Sequence, residues 1–342
     1  MFNLRKVKVF ALAAVFVLAA ALAAGCGGGK EQAGGKSQGQ NQPPAPAKTQ
    51  RMSISTGATS GTYYPLGTAI ANVLTNAGLG LNVAAEATGG SIENARLIGQ
   101  KQTEIGFVES LIADWAYNGK EMFKDKKVEN IRGLVSLYPN TIQTVVKTKS
   151  GIKTYKDLKG KKVAVGIQGS SSPLAMQAVL ESYGMSMNDI KPQYLAFGPS
   201  IELLKDDQVD AVMVDAGAPN SSIIDISSQH EIRILSIDPE NIKKIREKYP
   251  YFSEPVTIPK GTYKGVNEDV VTTGSLATLC VRADLPEDLV YNITKTIFEK
   301  KDEIAKVHEK GKSIDLKNAT NGISIPLHPG AEKYYKEKGV LK

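Results

Sequence analysis

Two stretches rich in glycine and hydroxyl side chains, each followed by an acid, hold most of the chemistry this sequence could perform. The first is Ser55-Thr56-Gly57-Ala58-Thr59-Ser60-Gly61-Thr62-Tyr63-Tyr64-Pro65-Leu66, and the second is Val163-Ala164-Val165-Gly166-Ile167-Gln168-Gly169-Ser170-Ser171-Ser172-Pro173-Leu174. Each leads into a helical run that stops at a glycine, Gly78 or Gly184. A Gly-x-Ser-Ile-Glu segment then follows (Gly89 to Glu93, Gly198 to Glu202), and then a strand ending in an acid, Glu109 or Asp215. Glycines and hydroxyls at a helix start offer N–H and O–H donors to an anion such as a carboxylate. An acid at a strand end repels an anion but accepts a hydrogen bond from an ammonium group. Gly57, Thr59, Gly61, Thr62, Ser170, Ser171 and Ser172 are therefore candidate carboxylate contacts, and Glu109 and Asp215 candidate ammonium contacts. One of Tyr63 and Tyr64 is expected to pack inward and the other to face the ligand. The alternatives are tight turns that bind nothing and acids that merely cap the next turn. Repetition of the loop weighs against the first of these.

The loop is not a nucleotide-binding one, because its glycines are wrongly spaced and no lysine follows Gly61. Parts for catalysis are also missing. His230, His308 and His328 are far apart and in no metal-ligand spacing, and the serine run lacks a nucleophile-elbow pattern. No catalytic residue, metal or cofactor is expected.

The elements that must position these residues follow from periodicity. Strands are read at Arg51 to Thr56, Leu81 to Glu86, Glu104 to Val108, Ile131 to Leu137, Gln143 to Lys147, Gln193 to Ala196, Ala211 to Val214, Ile232 to Ile237 and Val270 to Val281. Helices are read from Pro65 to Gly78, Ile92 to Gln100, Pro173 to Tyr183, Ile201 to Asp207, Pro286 to Val307 and Ala331 to Lys338. Alternating short strands and amphipathic helices predict α/β lobes built on mostly parallel sheets, with ligands at the carboxyl ends of the strands. The expected division is lobe I from residues 51–148 and 237–342 and lobe II from 149–236. Crossings are expected near Lys147 to Gly151 and Ser236 to Pro239, and a hinge there would close the lobes on a ligand.

The start of the chain reads differently. Arg5, Lys6 and Lys8 precede the apolar run Val9 to Ala24, a signal-peptide pattern. Ala23-Ala24-Gly25-Cys26 resembles a bacterial lipobox, so residues 1–25 are expected to be removed and Cys26 lipidated, anchoring the protein outside the cytoplasm. An ordinary secretory signal is the alternative. Residues 26–50 read as a disordered tether. The signal carries three of the 42 basic residues and none of the 35 acidic ones, so the formal charge of +7 falls to about +4 without it. The remaining lysine clusters are mixed with acids and lack interleaved aromatics, which excludes a nucleic-acid groove. Cys280, inside the apolar run Leu276 to Val281, is expected to be a buried free thiol.

From residue 51 onward the chain resembles the TAXI-type solute receptors of tripartite ATP-independent periplasmic (TRAP) transporters. The resemblance rests on Thr56 to Gly67, Thr88-Gly89-Gly90-Ser91-Ile92-Glu93-Asn94, Gly261-Thr262-Tyr263 and Leu327-His328-Pro329-Gly330-Ala331. It implies a two-lobed, type II-like periplasmic-binding-protein fold with a ligand cleft between hinge-joined lobes. The implied function is a monomeric, non-enzymatic receptor that passes a small acidic or zwitterionic solute, such as a glutamate-like amino acid, a dicarboxylate or a 2-oxo acid, to a TRAP permease. By motif position it implies contacts from Thr59, Thr62, Tyr63 and Ser91, from Ser170 to Ser172, and from the turn Asp215-Ala216-Gly217. Ala58 and Ser60 stand where the family usually has glycine, Glu109 where an uncharged amide is expected and Asp215 where an apolar residue is common. These departures favour a ligand with an amino group. A sensor lipoprotein feeding a receptor kinase is the first rival reading, and a surface hydrolase the second.

Overall fold

The internal repeat is realised as two copies of one βαβαβα unit in a computed structural model that describes residues 49–342. The expected signal peptide, Cys26 and all but the end of the expected tether lie outside the described residues. The first copy comprises β1 (Gln50–Ser55), α1 (Tyr63–Asn76), β2 (Leu81–Glu86), α2 (Ser91–Gly99), β3 (Ile105–Glu109) and α3 (Ser110–Asn118). After β4 (Ile131–Lys147), the second copy comprises β5 (Lys162–Ala164), α4 (Ser172–Ser182), β6 (Lys191–Gln193), α5 (Phe197–Lys205), β7 (Ala211–Ala216) and α6 (Ser221–Gln229). Then come β8 (Ile232–Leu235), α7 (Pro239–Lys248), β9 (Val256–Ile258), β10 (Val270–Thr272) and β11 (Gly274–Arg282). The chain closes with α8 (Glu287–Glu299), α9 (Lys301–Val307) and α10 (Pro329–Glu337).

One nine-stranded sheet runs through both lobes in the order β2-β1-β3-β11-β4-β7-β5-β6, with β8 also paired to β4. In each copy the first strand lies between the other two and is parallel to both. The central strands β3 and β7 are buried along their whole length, as strands covered on both faces must be, whereas the edge strand β2 alternates between buried and exposed. Cys280 is buried and unpaired within β11, as expected, and burial pushes its thiol up to about 12.

The lobes meet on two extended strands, and these differ from expectation. Tyr138-Pro139-Asn140 does not separate two strands: β4 is one 17-residue strand, paired with β11 from Ile131 to Thr141 and with β7 from Thr141 to Val145. Pro139 falls just before β7 joins, where β4 is paired on one side only and a missing N–H is tolerated. The first crossing is therefore at Thr141 rather than at Lys147 to Gly151. The return crossing is likewise later than Ser236 to Pro239. Ile242 and Ile245 of α7 share a core with Met176 and Val179 of α4, while Ile258 and Val270 of the β9–β10 hairpin pack with Val212 and Val214 of β7. Lobe II thus keeps the chain until Thr273 hands it to β11. The strand expected over Val270 to Val281 is split at that point, and the helix expected over Pro286 to Val307 is split at Lys300.

Gly274 makes this crossing possible. A Cβ there would lie 1.5 Å from the Asn140 carbonyl oxygen, so the two hinge strands approach as only glycine allows. Gly274→Ala is expected to destabilise the fold by about 2 kcal/mol or more, the scale of forced overpacking, and to lower the thermal midpoint by several degrees. An unchanged midpoint would mean that the crossing strands are not held this closely.

Candidate functional site

The carboxyl ends of β1, β3, β5 and β7 converge on the seam between the lobes. A cavity of about 50 Å³ lies there, lined by eighteen residues from both copies. That is room for only a few water molecules, since one needs roughly 10–15 Å³ on this measure. Gly57, Gly61, Thr62, Tyr63, Ser91, Glu109, Ser170, Ser171, Ser172, Asp215 and Ala216 all line it. Thr59, Tyr64 and Gly217 do not. Thr59 is exposed at the tip of the turn closed by Gly61 N–H donating to Ala58 O at 2.8 Å. Tyr64 sits about 100° around α1 from Tyr63. Gly217 packs against Lys310 and Tyr138 instead.

The first loop is fixed by Asn94 of α2, fully buried, whose amide donates to Thr56 O at 2.6 Å and Phe107 O at 2.8 Å. Behind it, Tyr63 stacks on Phe107 with ring centroids 4.8 Å apart, so Tyr63 is the inward-packing member of the tyrosine pair. Thr62 and Ser171 occupy the N-cap positions of α1 and α4, where a hydroxyl ordinarily accepts from the helix's own backbone. Neither does so. Ser171 Oγ donates instead across the seam to Glu109 Oε1 at 2.7 Å and lies 3.4 Å from Asp215 Oδ2, so one hydroxyl joins the acids of both lobes.

Expectation differs again at the N-terminus of α2. Its amides are not available to an anion, because Ile92 and Glu93 N–H both donate to Gly169 O of the second loop at 3.1 Å. Ser91 does not cap α2 but opens it, and its Oγ accepts from Glu109 N–H at 3.2 Å. Further contacts hold the lobes together: Gly198 N–H donates to Ser60 Oγ at 3.1 Å and the Asn220 amide to Ser60 O at 3.2 Å.

Asn140, in the hinge strand, is the main residue of the candidate site that sequence reasoning missed. Its amide donates to Glu109 Oε1 at 2.8 Å and to the Tyr63 hydroxyl at 2.7 Å. A polar residue beside a proline reads as a break, and only the pairing of β4 with β11 turns it toward the cleft. Asn140 Oδ1 is buried without a hydrogen-bond partner, and the buried Thr62 and Tyr138 hydroxyls lie beside one another with no other partner. Buried polar atoms are normally paired, and these lie in or beside one cavity. Among the described residues no Lys, Arg or His lines it.

Two buried acids with no cation at hand cannot both ionise cheaply. Burial pushes the Glu109 carboxyl up to about 7 against the pull of hydrogen bonds from Ser171, Asn140 and Ser275. Burial, and then the Glu109 charge, hold Asp215 well above the usual carboxylate range. Among the described residues no hydrogen bond joins the serine run to a histidine, and His308 and His328 use Nδ1 to accept backbone N–H groups at helix starts.

A folded state that binds this extra proton loses stability as pH rises from the ordinary glutamate value through about 7. His308 and His328, held low by burial, titrate with the opposite effect and cancel when wild type is compared with Glu109→Gln. Between about pH 5 and 8 the wild type should lose roughly 3 kcal/mol relative to that variant. Parallel unfolding curves at every pH would contradict a protonated pair.

Solved structures provide the comparison for this geometry. A protein of Bordetella bronchiseptica RB50 shares 18% identity over 86% of this chain and 90% of its own, with a TM-score of 0.50. The alkanesulfonate-binding protein of Xanthomonas axonopodis pv. citri, bound to MOPS, shares 17% over 85% of each chain at a TM-score of 0.49. The periplasmic aliphatic sulphonate binding protein of Escherichia coli shares 16% over 84% and 83% at 0.48. The fold is that of the periplasmic binding proteins, two α/β lobes on a shared pair of crossing strands. The sequence pattern of the NMT1-like family matches residues 54–339, nearly all of the described body, and the chain belongs to that family.

Proposed function

We propose that this chain is an extracytoplasmic, non-enzymatic receptor that closes its two lobes on a small solute bearing an ammonium group. Lipid on Cys26 would hold it to the membrane surface, and a TRAP permease would receive the solute, in line with the TAXI-like motifs at Thr56 to Gly67 and Thr88 to Asn94. The observation that carries the reading is the acid pair at the seam, joined through Ser171 and lined by no base. An ammonium group placed there supplies the missing cation. Its N–H groups would meet Glu109, Asp215 and the unpartnered Asn140 Oδ1, while the Thr62 and Tyr138 hydroxyls are donors suited to a carboxylate on the same molecule. An amino acid satisfies both sets. A dicarboxylate or 2-oxo acid without nitrogen leaves the acids unpaired and adds charge of the same sign, so the reading narrows to the zwitterionic class.

Closure follows the same arithmetic. The contacts across the seam from α2 to Gly169 and from Gly198 to Ser60 exist only when the lobes meet, and a ligand shifts the lobes toward closure only as far as it prefers that state.

Three outcomes are expected. An amino acid at about 100 times its dissociation constant should add roughly 2.7 kcal/mol to stability, while its deaminated 2-oxo analogue leaves the midpoint in place; the reverse pattern would overturn the ammonium reading. Affinity should rise at least about tenfold from pH 6 to pH 8, because the cation needs the pair ionised, and burial raises Glu109 to about 7 and Asp215 with it. A bare anion would show the opposite slope. Asp215→Asn should weaken binding by roughly 10- to 100-fold, the scale of a hydrogen bond to a charged group, as read by calorimetry.

A further inference from the structure

The inner cavity is too small to hold a whole amino acid, and a second space adjoins it. A chamber of about 460 Å³ lies between the lobes on the outer side of the acid pair. The two spaces share only Glu109 and Ser171, the residues bonded at 2.7 Å across the seam, so this hydrogen bond is the partition between them. When the lobes separate, the bond breaks and the spaces become one. Site and chamber together then fall in the size range of small-molecule sites, which the inner cavity alone does not approach.

The chamber's walls differ from those of the inner site. Leu111 and Trp115 of α3, Leu174 of α4, and Tyr249, Tyr251 and Phe252 supply its apolar surface, with Glu121 and Gln177 as polar members beside them. Four of these side chains are aromatic in a chain that is only 6% aromatic, and Trp115 is its sole tryptophan. The one lysine on this wall, Lys248, is already occupied: its ammonium lies 2.7 Å from Glu181 and over the ring of Tyr249. It is therefore poorly placed to draw a carboxylate side chain into the chamber. Rings and aliphatic carbons there offer contact area to an apolar group of aromatic width.

We infer that this chamber is the side-chain subsite of the receptor, and that the solute is an amino acid with an aromatic or bulky apolar side chain rather than an acidic one. The inference rests on the ammonium reading of the inner site. The head group sits between Glu109 and Asp215, the side chain passes the line of the Glu109–Ser171 partition, and the ring lies against Trp115 and Tyr251.

Trp115 makes the test direct. The full chain is titrated with L-phenylalanine, L-alanine and L-glutamate, reading tryptophan emission and thermal unfolding together. L-phenylalanine is expected to bind at least tenfold tighter than L-alanine or L-glutamate and to change Trp115 emission. Leu174→Ala and Tyr251→Ala, each at a half-buried position, should reduce that preference severalfold while leaving L-alanine binding unchanged. Two variants are used so that one that fails to fold does not decide the matter. L-alanine or L-glutamate binding as tightly as L-phenylalanine, with Trp115 emission unchanged, would overturn the subsite and leave the ammonium site standing. Absence of any shift with all three amino acids would overturn both.

Discussion

Everything at the seam follows from the burial of two carboxyl groups, one from each lobe, against a single hydroxyl. Glu109 is 3% exposed and Asp215 8%, and among the described residues no cationic side chain lines the cavity with them. Burying an unpaired charge costs several kcal/mol, so a chain that keeps two such groups together must either hold a proton between them or bring in a positive charge. In the proposed function the empty and the occupied receptor would use these two solutions in turn. Because the acids end β3 and β7, on opposite lobes, a cation bound between them would also draw the lobes together.

The scaffold serves this arrangement at some cost to its local parts. Thr62 and Ser171 give up capping their own helices so that their hydroxyls face the cleft. Pro139 and Asn140 interrupt the apolar pattern of β4 at the place where it passes between lobes, and Gly274 gives up a side chain so that β11 can cross beside it. These are breaches of local rules at one place, and such breaches are expected at a functional site rather than scattered through a fold. Away from the seam the chain is conventional, with central strands buried throughout and an edge strand that alternates.

Much of this was legible in the residues. The echo of Ser55 to Leu66 in Val163 to Leu174 pointed to two copies of one unit, and the acids at corresponding strand ends were candidates to face the cleft, because a βαβ repeat sends equivalent residues to equivalent places. Strand β2 was read to its ends from alternation alone. Other features needed the third dimension. Helix α3 follows Glu109 with no intervening loop, and its apolar sequence has no start signal beyond the acid itself. Tyr138-Pro139-Asn140 carries every local mark of a turn, and only its pairing with β11 makes it strand. The plugging of α2's amides by Gly169 is a contact between residues far apart in sequence, for which no periodicity exists. Thr59 and Tyr64 share the loop's chemistry, but the turn at Gly61 and the pitch of α1 direct them elsewhere.

The protonation of the pair itself is the quantity on which the account stands. Isotope-edited infrared difference spectroscopy, with labelled glutamate and aspartate carboxyls at about pH 6, observes it directly. A protonated carboxyl band is expected in the ligand-free protein, altered in Glu109→Gln and lost when an amino acid binds, as ammonium takes the proton's place. A ligand-free protein with both carboxylates ionised, or a protonated band that persists or grows on binding, would contradict it.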